Sequence, residues 1–343
     1  MPAEWEPHEA TWLAWPHNKS DWPGKFAPIP WVYAEIVRLV GQGERVELFV
    51  QDAKVAASAR RTMEREGANL DQVRFHRLRT DRGWTRDSGP IFVRRSAGGP
   101  HELALCDWKF NGWAKYDDWK LDDRLPTVVA KKLGLRSWQP TVGSQRLVLE
   151  GGSIDVDGCG NLLTTEECLL SDVQQRNPGL SREALEEALC EYLGLDQVLW
   201  LGRGIVGDDT HGHVDDIARF VREGTIVAAV EPNPNDENHA PLRDNLDRLR
   251  KMRDRKGQPF EIVELPLPAP VIFDGRRLPA SYANFYIANA AVIVPVFNDP
   301  NDGRALRILS ELFTDRPVIP VYCRDLVWGL GTLHCMTQQQ PAL

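Results

Sequence analysis

Ile36, Val37, Leu39 and Val40 fall on one face of a predicted helix that Gly41 and Gly43 end. Arg45–Val50 then alternates as a strand, and Ala53–Glu66 has helical spacing with Gly67 placed as its C-terminal cap. The polar turn Trp84-Thr85-Arg86-Asp87-Ser88-Gly89-Pro90 opens directly into the apolar Ile91-Phe92-Val93. Leu147–Val156 enters a hairpin through Asp157-Gly158-Cys159-Gly160. Ser181–Leu193 is a predicted helix with Ser181 as N-cap and Gly194 beyond its end. Asp208–Asp216 leads into Ile217–Val221, with Thr225–Val230 returning, and Ala240–Lys256 is a predicted charged helix. After a proline-rich loop at 265–270, Tyr282–Ile287 and Ala291–Phe297 form a predicted strand pair, and Val318–Tyr322 is the last strand.

One unit recurs in this pattern: polar residues with glycine, a strand, a turn, a second strand, often a helix. Asp87, Glu150 and His213 stand at equal intervals of 63 residues, Asn284 follows after 71 and Cys335 after another 51. Each opens a strand or sits in a loop next to one. Strand–helix modules at a near-constant period point to an α/β chain with radial repetition. In such an array equivalent strand ends converge, which would bring Asp87, Glu150, His213 and Cys335 together. No linker divides the pattern, so residues 1–343 read as one domain.

Two stretches depart from it. Residues 1–31 hold Trp5, Trp12, Trp15, Trp22 and Trp31 between prolines, and read as a packed arm or as an aromatic wall beside a site. Near the other end, Gly329-Leu330-Gly331-Thr332-Leu333-His334-Cys335-Met336 precedes a polar run of glutamines, which reads as a flexible loop presenting a thiol. A lone cysteine is more often a buried, inert side chain.

The composition, 42% hydrophobic and 26% charged, is that of a globular chain. A net charge of −8 without a Lys/Arg block argues against nucleic acid and is compatible with a cationic partner. The acidic N-terminal residues do not resemble a secretory signal, and no apolar run approaches the ~18 residues of a membrane span. Six cysteines without a CxxC pair fit a reducing compartment, so the expected location is cytoplasmic.

The candidate chemistry is a thiol (Cys335), an imidazole (His213) and three carboxylates (Asp87, Glu150, Asp215). Cysteine with histidine suggests nucleophilic catalysis. Carboxylates around a thiol raise its pKa, an unfavourable arrangement unless the substrate is a cation. A guanidinium fits, because its planar N–H fork pairs with carboxylates. The combination points to thiol attack on a guanidinium carbon. Each residue has a plainer reading: Asp87 as the ion-pair partner of Arg86, Glu150 as a turn carboxylate. His211, His213 and Asp215 also resemble a metal-ligand set. However, His8, His17, His76, His101, His239 and His334 supply no matching spacing, so no metal is expected.

With these residues in view the chain resembles the agmatine deiminases of the Porphyromonas-type peptidylarginine deiminase family, among the guanidine-modifying enzymes. The likeness rests on Glu4-Trp5-Glu6-Pro7-His8, Trp12–Pro16, Trp84–Pro90, Phe110-Asn111-Gly112-Trp113, Leu149–Ser153, Gly212–Asp215, Asn284–Ile287 and His334–Gln339. It implies a five-bladed, pseudo-symmetric α/β propeller of pentein type with the site on its axis. It also implies that Cys335 is the nucleophile, that Asp87 and Asp215 hold the guanidinium, that Glu150 binds and shuttles protons, and that His213 is the general acid/base. Trp84 would flank the substrate, and Asp209 would meet a distal amine. The implied reaction converts agmatine to N-carbamoylputrescine and ammonia through a thiouronium, without cofactor.

Thr85, His211 and the segment Asn111-Gly112-Trp113-Ala114-Lys115 depart from the family pattern, and Lys115 disfavours a diamine-like substrate. Peptidyl-arginine, free arginine or another small guanidine are the alternative substrates, and a non-catalytic polyamine or guanidine binder is the alternative outside enzymes. A homo-oligomer is compatible with this reading; nucleic acid and membrane are not expected partners.

Overall fold

Five small sheets share one strand order in the computed structural model, which describes residues 1–95 and 102–343; His101 lies outside them. In each sheet the first strand runs antiparallel to the middle one, and the middle one runs parallel to the third. A helix supplies the crossover to the third strand, as parallel pairing requires. Ile91–Arg95, Glu102–Cys106 and Arg136–Trp138 form one such unit, with helix Leu125–Leu133 between the last two. The next is Asp155–Val156, Asn161–Thr165 and Gln197–Leu201 with helix Arg182–Leu193. Ala218–Arg222, Thr225–Val230 and Glu261–Pro266 follow with helix His239–Lys251, then Tyr286–Ile287, Val292–Val296 and Val318–Tyr322 with helix Asp302–Leu312. The remaining unit joins distant parts of the chain: Gln338–Pro341 pairs with His8–Ala14, which runs parallel to Arg45–Val50, and Val73–Arg77 extends this sheet. None of the five sheets closes on itself among the described residues.

The α/β class follows the sequence reading, and several elements match it residue for residue. Arg45–Val50, Thr225–Val230 and Val318–Tyr322 are strands. Ala53–Glu66 is a helix between the Asp52 carboxylate, which accepts the Val55 N–H, and Gly67 in the left-handed conformation.

Other expectations are corrected. Residues 8–14 are a strand within a sheet, so the tryptophan-rich arm carries structural hydrogen bonds; Trp12 and Trp22 are fully buried while Trp31 is exposed. The run after Cys335 is a buried strand, because its glutamines find partners. Gln340 Oε1 accepts Trp12 Nε1–H at 3.0 Å, and Gln339 Oε1 accepts Arg86 Nη1–H at 2.7 Å. The charged helix stops at Lys251, ahead of the Asp254–Gly257 turn, whose N–H groups bond Asp254. The proline-rich stretch contributes Leu265 and Pro266 to a strand, and of 282–287 only Tyr286–Ile287 is strand.

Candidate active site

A single tight turn precedes the first strand of four units, and an irregular segment precedes that of the fifth. These turns carry the candidate residues. Asp87 lies in the one-turn helix Thr85–Ser88 and Glu150 caps the 3-10 turn Gly151–Ser153. His213 caps the 3-10 turn Val214–Asp216, which holds Asp215. Cys335 lies in the one-turn helix Leu333–Met336, and Asn284 two residues before Tyr286–Ile287. Cys335 therefore sits on an ordered turn locked by the following strand, not on a flexible terminal loop.

Three of these turns meet at Gly152. A Cβ there would lie 2.5 Å from His213 Nδ1, 2.8 Å from Asp87 Oδ1 and 3.0 Å from Asp215 Oδ2. Only glycine allows these side chains to close around its backbone. Gly331 serves the same end beneath the thiol, since its Cβ would lie 2.9 Å from the Trp84 ring and 3.2 Å from Cys335 Sγ. Neither of these glycines has positive φ; close approach is what they provide.

The side chains are buried and closely set. His213 Nδ1 lies 3.7 Å from Asp87 Oδ1, and Nε2 lies 3.7 Å from Glu150 Oε2. Cys335 Sγ lies 3.7 Å from Asp215 Oδ2 and accepts the Asn284 Nδ2–H at 3.1 Å. Asp87 also accepts Trp113 Nε1–H at 2.9 Å and the Gly152 N–H at 3.1 Å. Glu150 Oε1 accepts Arg176 Nε–H at 3.0 Å. Glu150 Oε2, both nitrogens of His213 and Asp215 Oδ1 are buried without a hydrogen-bond partner. Such atoms are costly unless something else is meant to complete them.

Electrostatics follows from this spacing. Burial, then the charges of Asp215, Asp216 and Asp87, push the Cys335 thiol well above its usual pKa. Burial likewise raises Asp87, against the pull of His213, and with Asp215 and Glu150 adding to it the carboxyl reaches about 6. Burial opposes a charge on Glu150 too, but the Arg176 guanidinium and His213 hold it down at about 2. For His213 burial disfavours the cation, yet Asp87, Cys168 and Glu150 outweigh it and its pKa lies well above the imidazole norm.

Trp84, Asp87, Trp113, Tyr116, Asp209 and Cys335 line one pocket with about 500 Å³ of atom-free space, part of it open to solvent. Trp22 backs Trp84 with ring centroids 5.4 Å apart, so the N-terminal tryptophans are both arm and wall. All seven candidates therefore gather here: Trp84, Asp87, Asp209 and Cys335 on the wall, Glu150, His213 and Asp215 in contact behind it.

Sequence reasoning missed a second charged cluster beneath the site. Arg86 does not pair with Asp87. It donates to Glu4 Oε2 at 3.0 Å, as His334 Nε2 contacts the same oxygen at 2.8 Å. Glu4 Oε1 accepts Arg219 Nη2–H and the Ile287 N–H, each at 2.9 Å. His334 Nδ1 reaches Asp215 Oδ2 at 2.7 Å and so joins the cluster to the site. Asn284, Trp113, Arg176 and His334 were not among the candidates; Asn284 and His334 had a signal in their neighbouring motifs, whereas Arg176 had none.

The proposed histidine pair does not act as a unit, since His211 Nε2 is directed to Ser171 Oγ at 3.1 Å. Among the described residues, the set with metal-ligand spacing is Glu150, Cys168 and His213, whose ligand atoms lie within 4.8 Å of one another. Arg176 already occupies Glu150 Oε1 in this set.

Comparison with known proteins completes the picture. The model of the Porphyromonas-type peptidyl-arginine deiminase family matches residues 1–341. The chain belongs to this family. An agmatine deiminase of Stutzerimonas stutzeri is 39% identical over 366 residues, covering 100% of this chain and 95% of that protein. A solved agmatine deiminase of Enterococcus faecalis superimposes with a TM-score of 0.90 at 33% identity, covering 99% of this chain and 95% of the other. An agmatine deiminase of C. jejuni with substrate bound gives 0.86 at 32% identity, covering 99% and 95%. Family membership thus spans the turns that carry the site as well as the sheets. No helix among the described residues is long and apolar enough to cross a membrane.

Proposed function

We propose that this protein hydrolyses the guanidinium group of agmatine to N-carbamoylputrescine and ammonia through a thiouronium on Cys335. The observation that carries the reading is the set of uncompleted atoms, Glu150 Oε2, both His213 nitrogens and Asp215 Oδ1, around a buried thiol in one pocket. A guanidinium supplies the N–H groups that carboxylate oxygens lack. Asp87, Asp215 and Glu150 hold its nitrogens, and Trp84 flanks it.

The arriving cation cancels the negative field that keeps Cys335 protonated, so the thiol ionises with substrate in place and its proton passes to solvent. Its sulfur attacks the central carbon and forms a tetrahedral adduct. His213, charged at neutral pH, protonates the departing amino group, the C–N bond breaks, and ammonia leaves a thiouronium on sulfur. The now neutral His213 takes a proton from water, whose oxygen attacks the same carbon. The second adduct expels the Cys335 thiolate and yields the ureido product. The adduct's hydroxyl proton returns to the thiolate, the imidazole keeps the proton it took from water, and the proton first released by the thiol leaves with ammonia as ammonium, so that one water is consumed and the substrate's positive charge departs with the nitrogen.

The proposal includes the architecture. Five units of one strand order, three of whose opening turns meet at Gly152, support a single domain built as a five-bladed propeller about the pocket. Six unpaired cysteines support a cytoplasmic location.

Ammonia release from agmatine, arginine, arginine peptides and simpler guanidines tests the reading. Agmatine is expected to be the best substrate. Cys335→Ala is expected to abolish release while still binding agmatine; undiminished turnover by that variant would overturn the mechanism.

A further inference from the structure

The outer part of the pocket carries two carboxylates, and both are already neutralised by the protein's own cations. Arg82 Nη1 donates to Asp21 at 2.5 Å and its Nη2 to Asp118 at 2.9 Å. Asp209 pairs with the Lys115 ammonium through Oδ1 and accepts the Tyr116 hydroxyl through Oδ2.

The Lys115 contact is built by the backbone. Gly112, Trp113 and Ala114 all have positive φ, a sharp reversal closed by Asn111 Oδ1 accepting the Ala114 N–H at 2.9 Å. The Gln174 amide donates to the carbonyls of both Trp113 and Asp209 at 3.1 Å, clasping the segment that carries Lys115 to the one that carries Asp209. Trp113 in turn is fixed by its bond to Asp87. Two cations lie against the Tyr116 ring, with Arg82 4.2 Å and Lys115 Nζ 5.6 Å from its centre.

We infer that Lys115 is a specificity-determining residue: a tethered ammonium that occupies Asp209 and competes with the distal ammonium of a diamine-like guanidine. The inference rests on the deiminase reading and adds to it. A free ammonium reaching Asp209 must displace Lys115 at high effective concentration, whereas a guanidine with an apolar tail displaces nothing. The outer pocket therefore demands a distal positive charge less than an unoccupied carboxylate would, and it admits guanidines with uncharged tails. Lys115 is partly exposed, so it can swing into solvent.

The test is calorimetric binding of agmatine and of n-butylguanidine, which shares the chain but lacks the amine, to the Cys335→Ala protein with and without Lys115→Met. Methionine keeps the apolar stem and removes the charge. The preference for agmatine over butylguanidine is expected to rise about two- to fivefold on removing Lys115, the scale of one partly exposed ion pair released to the ligand. An unchanged or smaller preference, with both ligands binding, overturns the role of Lys115 and leaves the deiminase reading intact. Binding of neither guanidine to the parent overturns the deiminase reading and this inference with it. Circular dichroism of the double variant separates a lost fold from lost affinity, and Lys115→Arg, which keeps the charge, is expected to restore the low preference.

Discussion

Glu4 and Glu150 lie at similar depth and each holds arginine, but their surroundings differ. Glu4 is saturated: two arginines, one imidazole and one backbone N–H occupy its two oxygens. Glu150 spends one oxygen on Arg176 and leaves the other facing His213 at 3.7 Å without a hydrogen bond. The same contrast runs through neighbouring residues in sequence. Arg86 and His334 turn toward Glu4, while Asp87 and Cys335, one position later, turn toward the pocket. One-turn helices make this possible, because successive side chains point about 100° apart. Burial alone does not distinguish Glu150 from Glu4; the oxygen that Glu150 leaves unspent does.

Substitutions that separate binding from support test the contrast. The largest effect is expected from Glu4→Ala, which strands Arg86 and Arg219 in the interior and lowers stability by about 3–5 kcal/mol in urea unfolding. A folded variant of unchanged stability would show that the lower cluster is no support. His213→Asn is next, expected to slow turnover about a thousandfold; losing the charge that Asp87 and Glu150 face at 3.7 Å lowers stability too, but by less than Glu4→Ala because neither ring nitrogen holds a hydrogen bond. A large stability loss in that variant would erase the distinction.

The acidic limb of kcat/KM sharpens the contrast further. Asp87 binds a guanidinium only as a carboxylate, and its raised pKa of about 6 means that it gains a proton as pH falls through 6. Glu150, near 2, and Glu4, held well below its usual range by Arg219, His334 and Arg86 despite burial, stay ionised there. Catalytic efficiency is therefore expected to fall by up to about tenfold per unit below pH 6. A profile flat down to pH 4 would place the guanidinium elsewhere. The smallest effect belongs to His211→Asn, with less than about twofold change expected in kcat/KM; asparagine tolerates the positive φ at this position. A loss of a hundredfold would reopen the pairing of His211 with His213.

Local chemistry was legible in the sequence, and partnership at a distance was not. The helix Ala53–Glu66 announced its C-terminal end through Gly67. The spacing of Asp87, Glu150 and His213 exposed the repeated unit because each stands at the same kind of turn. His8–Ala14 hid as a strand because it is buried on nearly every side, which removes the alternation that marks a half-exposed strand. Gln338–Pro341 hid because its polar side chains meet Trp12 and Arg86, both more than 250 residues earlier. The Glu4 cluster could not be inferred from spacing, since its members come together only when the sheets do.

The antiparallel pairing of Gln338–Pro341 with His8–Ala14 has a temporal consequence. During synthesis the first strand emerges long before its partner, and Glu4 waits for an imidazole 330 residues downstream. Contacts of such sequence separation form late and slowly. Of the side chains gathered at the pocket, Cys335 is therefore the last to leave the ribosome, and the growing chain carries Asp87, Glu150 and Asp215 well before it carries the thiol.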